Sequence, residues 1–243
     1  MKTMLKKWRE KRRPRCAVLV AAAGSSSRMG GVNKLLRELD GVPVLVRTLT
    51  SLQLASQVDE IIVATREEDL TRIAELCHDY HITKCTKVVK GGADRAHSVL
   101  QAAVEAAPDT ELLAVQDGAR PLVLPELIDR VIQAAARCGA AAPAVPVKDT
   151  IKSVGEGGVV TGTPDRSTLR AVQTPQVFQA DLLKAALQSA IDQDRPITDD
   201  CSAVELLGKQ VYLVEGDEEN LKLTTPIDFV VAEAILAERK TRA

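Results

Sequence analysis

The sequence is poor in aromatic side chains, since Phe, Tyr and Trp together account for only 2% of its 243 residues. Proteins that bind single-stranded nucleic acid stack bases on such rings, so this composition argues against that class, and we expect no nucleic-acid partner. Hydrophobic residues still make up 45% of the chain. We therefore expect a core of Ala, Val, Leu and Ile, within the size range of one α/β domain.

Long apolar runs are also missing. No stretch of about 18 consecutive apolar residues occurs, so we expect no membrane span and no membrane partner. The first fifteen residues hold no apolar segment of the kind that a secretory signal needs. They carry eight Lys or Arg against Glu10 alone, a charge of +7, which leaves −8 for the remainder of a chain of net charge −1. We interpret residues 1–15 as a basic, poorly ordered extension, with contact to nucleic acid or anionic lipid as the alternative.

Cysteine and histidine follow no pattern of a metal site or a disulfide framework. The five cysteines are odd in number and widely scattered, and no two of them form a CxxC pair. The three histidines show no HExxH or similar ligand spacing. Reduced thiols in a cytoplasmic protein are therefore the expectation. The cysteines are Cys16, Cys77, Cys85, Cys138 and Cys201.

Apolar runs and helical patterns alternate through the first 147 residues, which predicts an α/β fold. The first run, residues 16–22, shows no polar alternation, as expected for a strand of a mostly parallel sheet with helices on both faces, a doubly wound arrangement. Ligands bind at the carboxyl ends of such strands, where Gly24 and Asp117 lie. Strands are predicted at 16–22, 58–65, 86–89, 111–116 and 140–147, and helices at 43–56, 67–79, 94–107 and 125–138.

Residues 148–172 differ from the rest of the single domain predicted for residues 16–243. Short β-prone pieces at 150–154, 159–163 and 168–172 flank a glycine-rich turn at 155–158, which predicts a β-hairpin arm with few core residues. We expect this arm to project from the sheet and to pack on another surface. After it we predict a helix at 180–190, a short helix ending near Leu207, a strand at 211–214 and a final helix from Thr225.

A glycine- and serine-rich loop follows the first predicted strand and is the first candidate site. Its backbone N–H groups can bind an anion, and Arg28 and Lys34 add two positive charges, as a triphosphate requires. The alternative is a flexible turn with two solvated basic residues. No Walker A motif and no GxGxxG fingerprint is present, which sets aside a dinucleotide-dependent oxidoreductase.

Two further segments carry candidate residues. Asp117 ends a buried strand, where a carboxylate can hold Mg²⁺ against phosphate oxygens, or can simply cap the next segment. Lys222 follows an acidic turn and would otherwise be interpreted as a surface lysine.

Six motifs, in their order along the chain, resemble the 2-C-methyl-D-erythritol 4-phosphate cytidylyltransferases of the non-mevalonate isoprenoid pathway. The resemblance covers about residues 16–235. The motifs are AAAGSSSRMG with Lys34, VQDGARP (115–121), PVKDTIK (146–152), QTPQVF (173–178), ITDDCSAVE (197–205) and EGDEENLKLTTP (215–226).

This resemblance implies a Rossmann-like nucleotidyltransferase fold and the transfer of CMP from CTP to the polyol phosphate, with release of pyrophosphate. It also implies a magnesium cofactor, and a homodimer whose arms complete the partner's acceptor site. The implied catalytic residues are Arg28, Lys34 and Lys222. The implied CTP-binding residues are Ala22, Ala23, Gly24, Gly92, Arg95, Ser98 and Asp117, with Asp117 also at the metal. The implied acceptor-binding residues are Thr150, Arg166, Thr174, Thr198 and Asp199.

Two departures from the family pattern stand out. Ala21 occupies a position that is usually Pro, and the segment before Lys34 is shorter than usual, which affects how Lys34 is placed. Two alternatives stay open at this point. One is the same reaction on another polyol phosphate, such as ribitol 5-phosphate, and the other is an inactive nucleotide-binding module.

Overall fold

A computed structural model describes residues 13–24 and 33–242. Most of its strands join one eight-stranded sheet. The elements are, in chain order, β1 (Cys16–Ala22), β2 (Glu38–Leu39), β3 (Val42–Pro43), α1 (Val44–Leu54), β4 (Glu60–Thr65), α2 (Leu70–Asp79), β5 (Cys85–Lys90), α3 (Arg95–Val104), β6 (Leu112–Asp117), α4 (Pro125–Cys138), β7 (Ala140–Pro146), β8 (Ser153–Val154), β9 (Val160–Gly162), β10 (Arg170–Val172), β11 (Gln176–Gln179), α5 (Ala180–Asp192), α6 (Asp200–Leu206), β12 (Tyr212–Glu215) and α7 (Pro226–Arg242).

The strand order of the main sheet is β10-β7-β11-β6-β1-β4-β5, with β12 also paired to β7. β1 lies between β6 and β4 and runs parallel to both, and β5 and β12 are parallel to their neighbours as well. β11 runs antiparallel between β6 and β7, and β10 is antiparallel to β7. The predicted fold class, a doubly wound and mostly parallel α/β sheet, is confirmed.

Apolar side chains cover both faces of the sheet, which explains the uninterrupted hydrophobic runs. Val18 and Val20 of β1 belong to one buried cluster with residues of α1, α2, α4 and α7. Ala17 and Leu19 belong to a second cluster with residues of α3, α5 and α6. Full burial of one such Val or Leu side chain stabilises the fold by about 1.5–3 kcal/mol. The sheet therefore forms a rigid base for the loops that leave its strand ends.

The structure places one predicted arm strand elsewhere. Of the three predicted arm strands, the first two form β8 and β9, which pair with each other as a hairpin separate from the main sheet. Residues 170–172, predicted as the third strand of the arm, form β10 and pair with β7 in the main sheet. The arm is thus shorter than predicted, because the chain joins the edge of the main sheet at Arg170. Every residue from 148 to 160 is exposed, as expected for a segment with few core residues.

Two short elements were not predicted. β11 holds only four residues, of which Gln176 and Gln179 are polar, and such a segment carries little strand signal. β2 and β3 form a tight hairpin in which Asp40 and Gly41 both have positive φ, at 51° and 74°. An Asp-Gly pair between apolar residues favours this turn, so the sequence did contain the signal.

The described part of the basic extension is tied to the domain by ion pairs. Arg13 binds Asp59 at 2.7 Å and Arg15 binds Asp109 at 3.0 Å. The rest of the predicted extension, residues 1–12, lies outside the described residues. None of the helices in the described ranges is long and apolar enough to cross a membrane.

Candidate active site

The start of the predicted nucleotide loop, up to Gly24, lies at the same edge of the sheet as Asp117, while residues 25–32 of the loop lie outside the described residues. Because β1 and β6 are parallel neighbours, Ala21 is in register with Asp117, and the Gly118 N–H donates to the Ala21 carbonyl oxygen at 3.1 Å. Ala22 is buried, Ala23 is half-buried and Gly24 is exposed with open space around it. The backbone at Gly24 is therefore accessible to a ligand above the strand ends.

Asp117 is the centre of a cluster of cations. Its Oδ1 atom accepts a hydrogen bond from Arg95 Nη1 at 2.8 Å. Its Oδ2 atom lies 2.9 Å from Lys222 Nζ and 3.5 Å from Arg120 Nε. Burial opposes ionisation of this carboxyl, but the charges of Arg95, Lys222 and Arg120 outweigh it and hold the pKa of Asp117 well below its usual range. Asp117 is therefore a carboxylate at any pH near neutrality.

Arg95 also binds a second buried carboxylate. Its Nη2 atom donates to Asp200 Oδ2 at 2.6 Å, and Asp200 is fully buried. Burial raises the pKa of Asp200, and the neighbouring charge of Asp117 adds to that effect, while Arg95 opposes it. Burial alone would lower the pKa of Arg95, but Asp200 and Asp117 raise it above its ordinary value. The guanidinium group is thus fixed between two acidic side chains.

The predicted acceptor residue Asp199 holds the segment that presents Asp200. Its Oδ1 atom accepts from the Ser202 backbone N–H at 2.9 Å and caps α6, and the Asp199 backbone N–H donates in return to Ser202 Oγ at 3.3 Å, which completes a capping box. Its Oδ2 atom accepts from Gln176 Nε2 at 2.7 Å. Gln176 Oε1 in turn accepts from the N–H groups of Asp200 and Cys201, both at 3.0 Å. Both oxygens of Asp199 therefore serve the local structure.

The segment around Lys222 is fixed by hydrogen bonds to its backbone. Lys34 Nζ donates to the Leu223 carbonyl oxygen at 2.7 Å, and Arg120 Nη1 donates to the Asn220 carbonyl oxygen at 2.6 Å. The Asn220 side chain donates to the Thr174 carbonyl oxygen at 3.0 Å. Lys34 thus lies beside Lys222 although 188 positions separate them in sequence. The Lys222 side chain is 43% exposed, so its ammonium group faces the open side of the cluster.

The segment predicted to contact cytosine packs directly against the nucleotide loop. A Cβ atom at Gly91 would lie 2.7 Å from Ala23 Cβ and 2.9 Å from Ser98 Oγ, so only glycine fits there. The Gly92 N–H donates to Ser98 Oγ at 3.0 Å. Asp94 caps α3, as predicted, by accepting from the His97 N–H at 2.9 Å. This cap orients Arg95, the first residue of the helix, toward Asp117.

The predicted site residues fall into three groups. The first group is linked to Asp117: Arg95 and Lys222 bind its carboxylate, and its N–H donates to Thr174 Oγ1 at 3.1 Å. Lys34 joins this group through the backbone next to Lys222. Thr198 is exposed and reaches the cluster only through the Asp199 cap. Thr150 and Arg166 lie in the arm segment, and within the described chain no hydrogen bond or ion pair joins either side chain to Asp117. Arg28 lies outside the described residues.

Four residues of the cluster were not predicted to belong to the site. They all lie inside the motifs that the sequence analysis quoted, but only the structure shows what they contact. The signal in the sequence was that each is a polar residue inside a quoted motif, and the structure shows that all four are buried. They are Arg120, Gln176, Asp200 and Asn220.

The donor set for a metal is small. Within residues 13–24 and 33–242, no three His, Cys, Asp or Glu side chains are grouped so that they could hold a metal ion. Asp117 is a single carboxylate, which suits a cation that is bound mainly through the phosphates of a substrate.

The sheet, the glycine-rich sequence that follows β1 and the cationic cluster around a strand-end carboxylate define an α/β nucleotidyltransferase. The family model of 2-C-methyl-D-erythritol 4-phosphate cytidylyltransferase matches residues 16–238. The chain belongs to this family, as the sequence motifs predicted.

Similar proteins and structures support the same assignment. A 2-C-methyl-D-erythritol 4-phosphate cytidylyltransferase of Symbiobacterium thermophilum is 47% identical over 91% of this chain and 93% of its own length. One from Bacillus thuringiensis is 44% identical over 92% of this chain and 98% of its own length. The crystal structure of 4-diphosphocytidyl-2C-methyl-D-erythritol synthase from Anaerococcus prevotii has a TM-score of 0.82 at 30% identity, covering 92% of this chain and 96% of that one.

Proposed function

We propose that this chain transfers the cytidylyl group of CTP to the phosphate of 2-C-methyl-D-erythritol 4-phosphate and releases pyrophosphate. The observation that carries the proposal is the cluster at the end of β6, where Arg95, Arg120 and Lys222 surround Asp117 and Lys34 lies beside Lys222. The three cations bound to Asp117 outnumber the two carboxylates, Asp117 and Asp200, that face them. The surplus of positive charge suits a triphosphate, and relatives named for this reaction share most of the chain.

The reaction joins two anions, and electrostatic repulsion is its main barrier. An oxygen of the acceptor phosphate attacks the α-phosphorus of CTP, and the bond from that phosphorus to the β-bridging oxygen breaks as pyrophosphate leaves. The acceptor phosphate is already ionised near neutral pH, so the enzyme needs no general base. In this scheme Lys34 and Lys222 neutralise charge that develops on the phosphates. Arg28 is expected to share this role.

Lys222 has the freedom that this role requires. Its ammonium group is paired with Asp117 Oδ2 but is 43% exposed, whereas Asp117 itself is buried. Arg95 and Arg120 stay bound to Asp117 from the protein interior. Lys222 can therefore turn from Asp117 to the incoming phosphates without leaving the carboxylate unpaired.

Magnesium is the divalent cation that we propose for this reaction. Bound together with the triphosphate, magnesium would neutralise phosphate charge and so favour attack by the acceptor. Asp117 fits such an ion, because Mg²⁺ in phosphoryl-transfer sites takes one or two carboxylates and completes its coordination with phosphates and water. If Lys222 turned toward the phosphates, a lone pair of Asp117 Oδ2 would become available to bind the cation.

We further propose that the chain acts as a homodimer, with Thr150 and Arg166 completing the acceptor site of the partner subunit. The arm residues Val154, Val159 and Val160 are each more than half exposed, which favours burial against another surface. Arg166 donates to the Lys148 carbonyl oxygen at 2.6 Å and leaves other N–H groups for a phosphate. A cytoplasmic location belongs to the same proposal, and all five cysteines being free supports it.

The test is an assay of pyrophosphate release in which each nucleoside triphosphate is combined with several polyol phosphates. We expect release with CTP and 2-C-methyl-D-erythritol 4-phosphate, and loss of activity in excess chelator that added Mg²⁺ restores. Equal rates with ATP and CTP would contradict the nucleotide assignment. A higher kcat/KM with ribitol 5-phosphate would contradict the acceptor assignment.

A further inference from the structure

Cys77 and Cys85 bring their sulfur atoms into contact, 3.5 Å apart. Cys77 lies in the last turn of α2 and Cys85 is the first residue of β5. The chain between them folds back tightly: the Ile82 N–H donates to the Cys77 carbonyl oxygen at 2.8 Å, and the Cys85 N–H donates to the Ile82 carbonyl oxygen at 3.0 Å. These bonds hold the two thiols together without any sequence pattern such as CxxC.

We propose that Cys77 and Cys85 form a redox-active dithiol that closes to a disulfide by exchange with a small disulfide. A disulfide bond is about 2.05 Å long, so the two sulfur atoms must approach by about 1.5 Å in total. The surroundings allow this shift. The pairing of β4 with β5 is irregular next to Cys85, where Ile61 pairs with Cys85 but Ile62 pairs with Lys87. Such a bulge makes the start of the strand more adaptable than a regular ladder.

A reagent can reach the pair. Both cysteines line a cavity of about 650 Å³ between α2 and β5, together with His78 and His81. Cys77 is 8% exposed and Cys85 is half-buried. Cys16 and Cys201, in contrast, are 0% and 4% exposed, and burial raises the pKa of both thiols, so they are poor nucleophiles.

The contact also divides the roles of the two thiols. A hydrogen bond with Cys85 lowers the pKa of Cys77, while the contact with Cys77 raises that of Cys85. The Cys77 thiolate therefore attacks first, joins one sulfur of the reagent RS–SR and releases RS⁻. The Cys85 sulfur, after losing its proton, then attacks Cys77 Sγ and displaces the second RS⁻. The cysteines lose two electrons and two protons, and the reagent becomes two RSH.

The experiment uses the full chain and bis(2-hydroxyethyl) disulfide, a reagent small enough for the cavity. After oxidation, the protein is unfolded and its remaining thiols are alkylated. We expect three of the five cysteines to be labelled, since two are lost to the new bond. Trypsin cuts after Lys84, between the two cysteines, so the disulfide should join two peptides that separate on reduction.

Matched variants distinguish this site from general thiol reactivity. Cys138 is half-buried like Cys85, but its sulfur donates to the backbone oxygens of Ala134 and Ala140, at 3.1 and 3.3 Å, and within the described residues it has no hydrogen bond to another sulfur. We expect Cys138→Ser to give the same linked peptides and Cys85→Ser to give none. The proposal is overturned if the wild-type chain keeps five alkylatable thiols. It is also overturned if the stable product is a hydroxyethylthio adduct on one cysteine, or if Cys138 is part of the link.

Discussion

Arg95 and Asp200 are joined by two hydrogen bonds, from Nη2 at 2.6 Å and from Nε at 3.1 Å, both to the same carboxylate oxygen. The third N–H contact of Arg95 goes to Asp117 on the other side. Asp200 therefore fixes the guanidinium plane that supports Asp117. A residue that acts in this way is a positioning residue, because Asp200 itself is fully buried and cannot touch the substrates.

We predict that Asp200→Asn lowers kcat/KM for CTP by about 10- to 100-fold, because Arg95 loses a charged acceptor worth about 1.5–3 kcal/mol. The measurement is steady-state pyrophosphate release with CTP varied, alongside thermal unfolding. Asp200→Glu should recover part of the activity by restoring the charge. Asp192→Asn, on the exposed end of α5, is the control and should match the wild type. Unchanged kinetics in folded Asp200→Asn would contradict the positioning role.

Lys222→Ala and Lys34→Ala should each reduce kcat by about 100- to 1,000-fold, in line with the loss of one preorganised charge at a transition state. Neither side chain forms part of the buried apolar clusters, so the unfolding temperature should change little. Lys209→Ala removes an exposed lysine outside the cluster and serves as the control. If a folded Lys222→Ala enzyme keeps near-normal turnover, the charge-neutralisation account of that residue is wrong.

The lowered pKa of Asp117 makes a prediction for acid stability. Its usual value is 3.8, and the folded state holds it lower. Above the usual value the carboxylate is ionised in both states and contributes its full stability. As the pH falls, the unfolded chain takes up a proton first, and this contribution is lost. The stability of the wild type should therefore decline more steeply between about pH 5 and pH 3 than that of Asp117→Asn.

Asp200 provides the opposite case in the same experiment. Its pKa is raised in the folded state, so its contribution is fully present at low pH and is lost as the pH rises through the folded value. Asp200→Asn should therefore gain stability with rising pH more steeply than the wild type over the acid range. Urea unfolding at a series of pH values measures both slopes. Equal slopes for the wild type and Asp117→Asn would show that the cation cluster does not stabilise this carboxylate.

The sequence was sufficient to predict the order of the major elements and to place Gly24 and Asp117 at the ends of neighbouring strands. The runs at Cys16–Ala22 and 112–115 are apolar throughout, a pattern typical of strands buried on both faces. Once two parallel strands are placed, Gly24 and Asp117 must lie at one edge. Asp94 was identifiable as a helix cap because the interaction is local and the residue type is characteristic.

What the sequence did not predict depends on contacts between distant segments. The Arg95–Asp200 pair spans 105 positions and the Lys34–Leu223 contact spans 189. No periodicity encodes such pairs, and the motifs that contain them indicate only that polar residues lie in a loop. The return of residues 170–172 to the sheet edge is a similar case, because a three-residue strand pairs wherever tertiary structure offers an edge.

The proposed exchange of arms predicts that two inactive variants restore activity to each other. Lys34→Ala removes a charge that binds the Leu223 carbonyl oxygen next to Lys222, and Arg166→Ala removes a charge in the arm, where no contact to Asp117 occurs within the described residues. In a two-fold dimer, each site would combine Lys34 from one subunit with Arg166 from the other. A mixed dimer then contains one site with both residues intact and one site with neither. Random exchange makes about half of the dimers mixed, so the mixture should recover up to about one quarter of the wild-type activity.

The measurement is pyrophosphate release before and after subunit exchange, with exchange followed by native mass spectrometry of the two variants. A mixture of Lys34→Ala with Lys222→Ala is the control: both residues belong to the same cluster, so no intact site can form. If exchange is complete and the Lys34→Ala and Arg166→Ala mixture stays inactive, each site is built within one chain and the arm has another role.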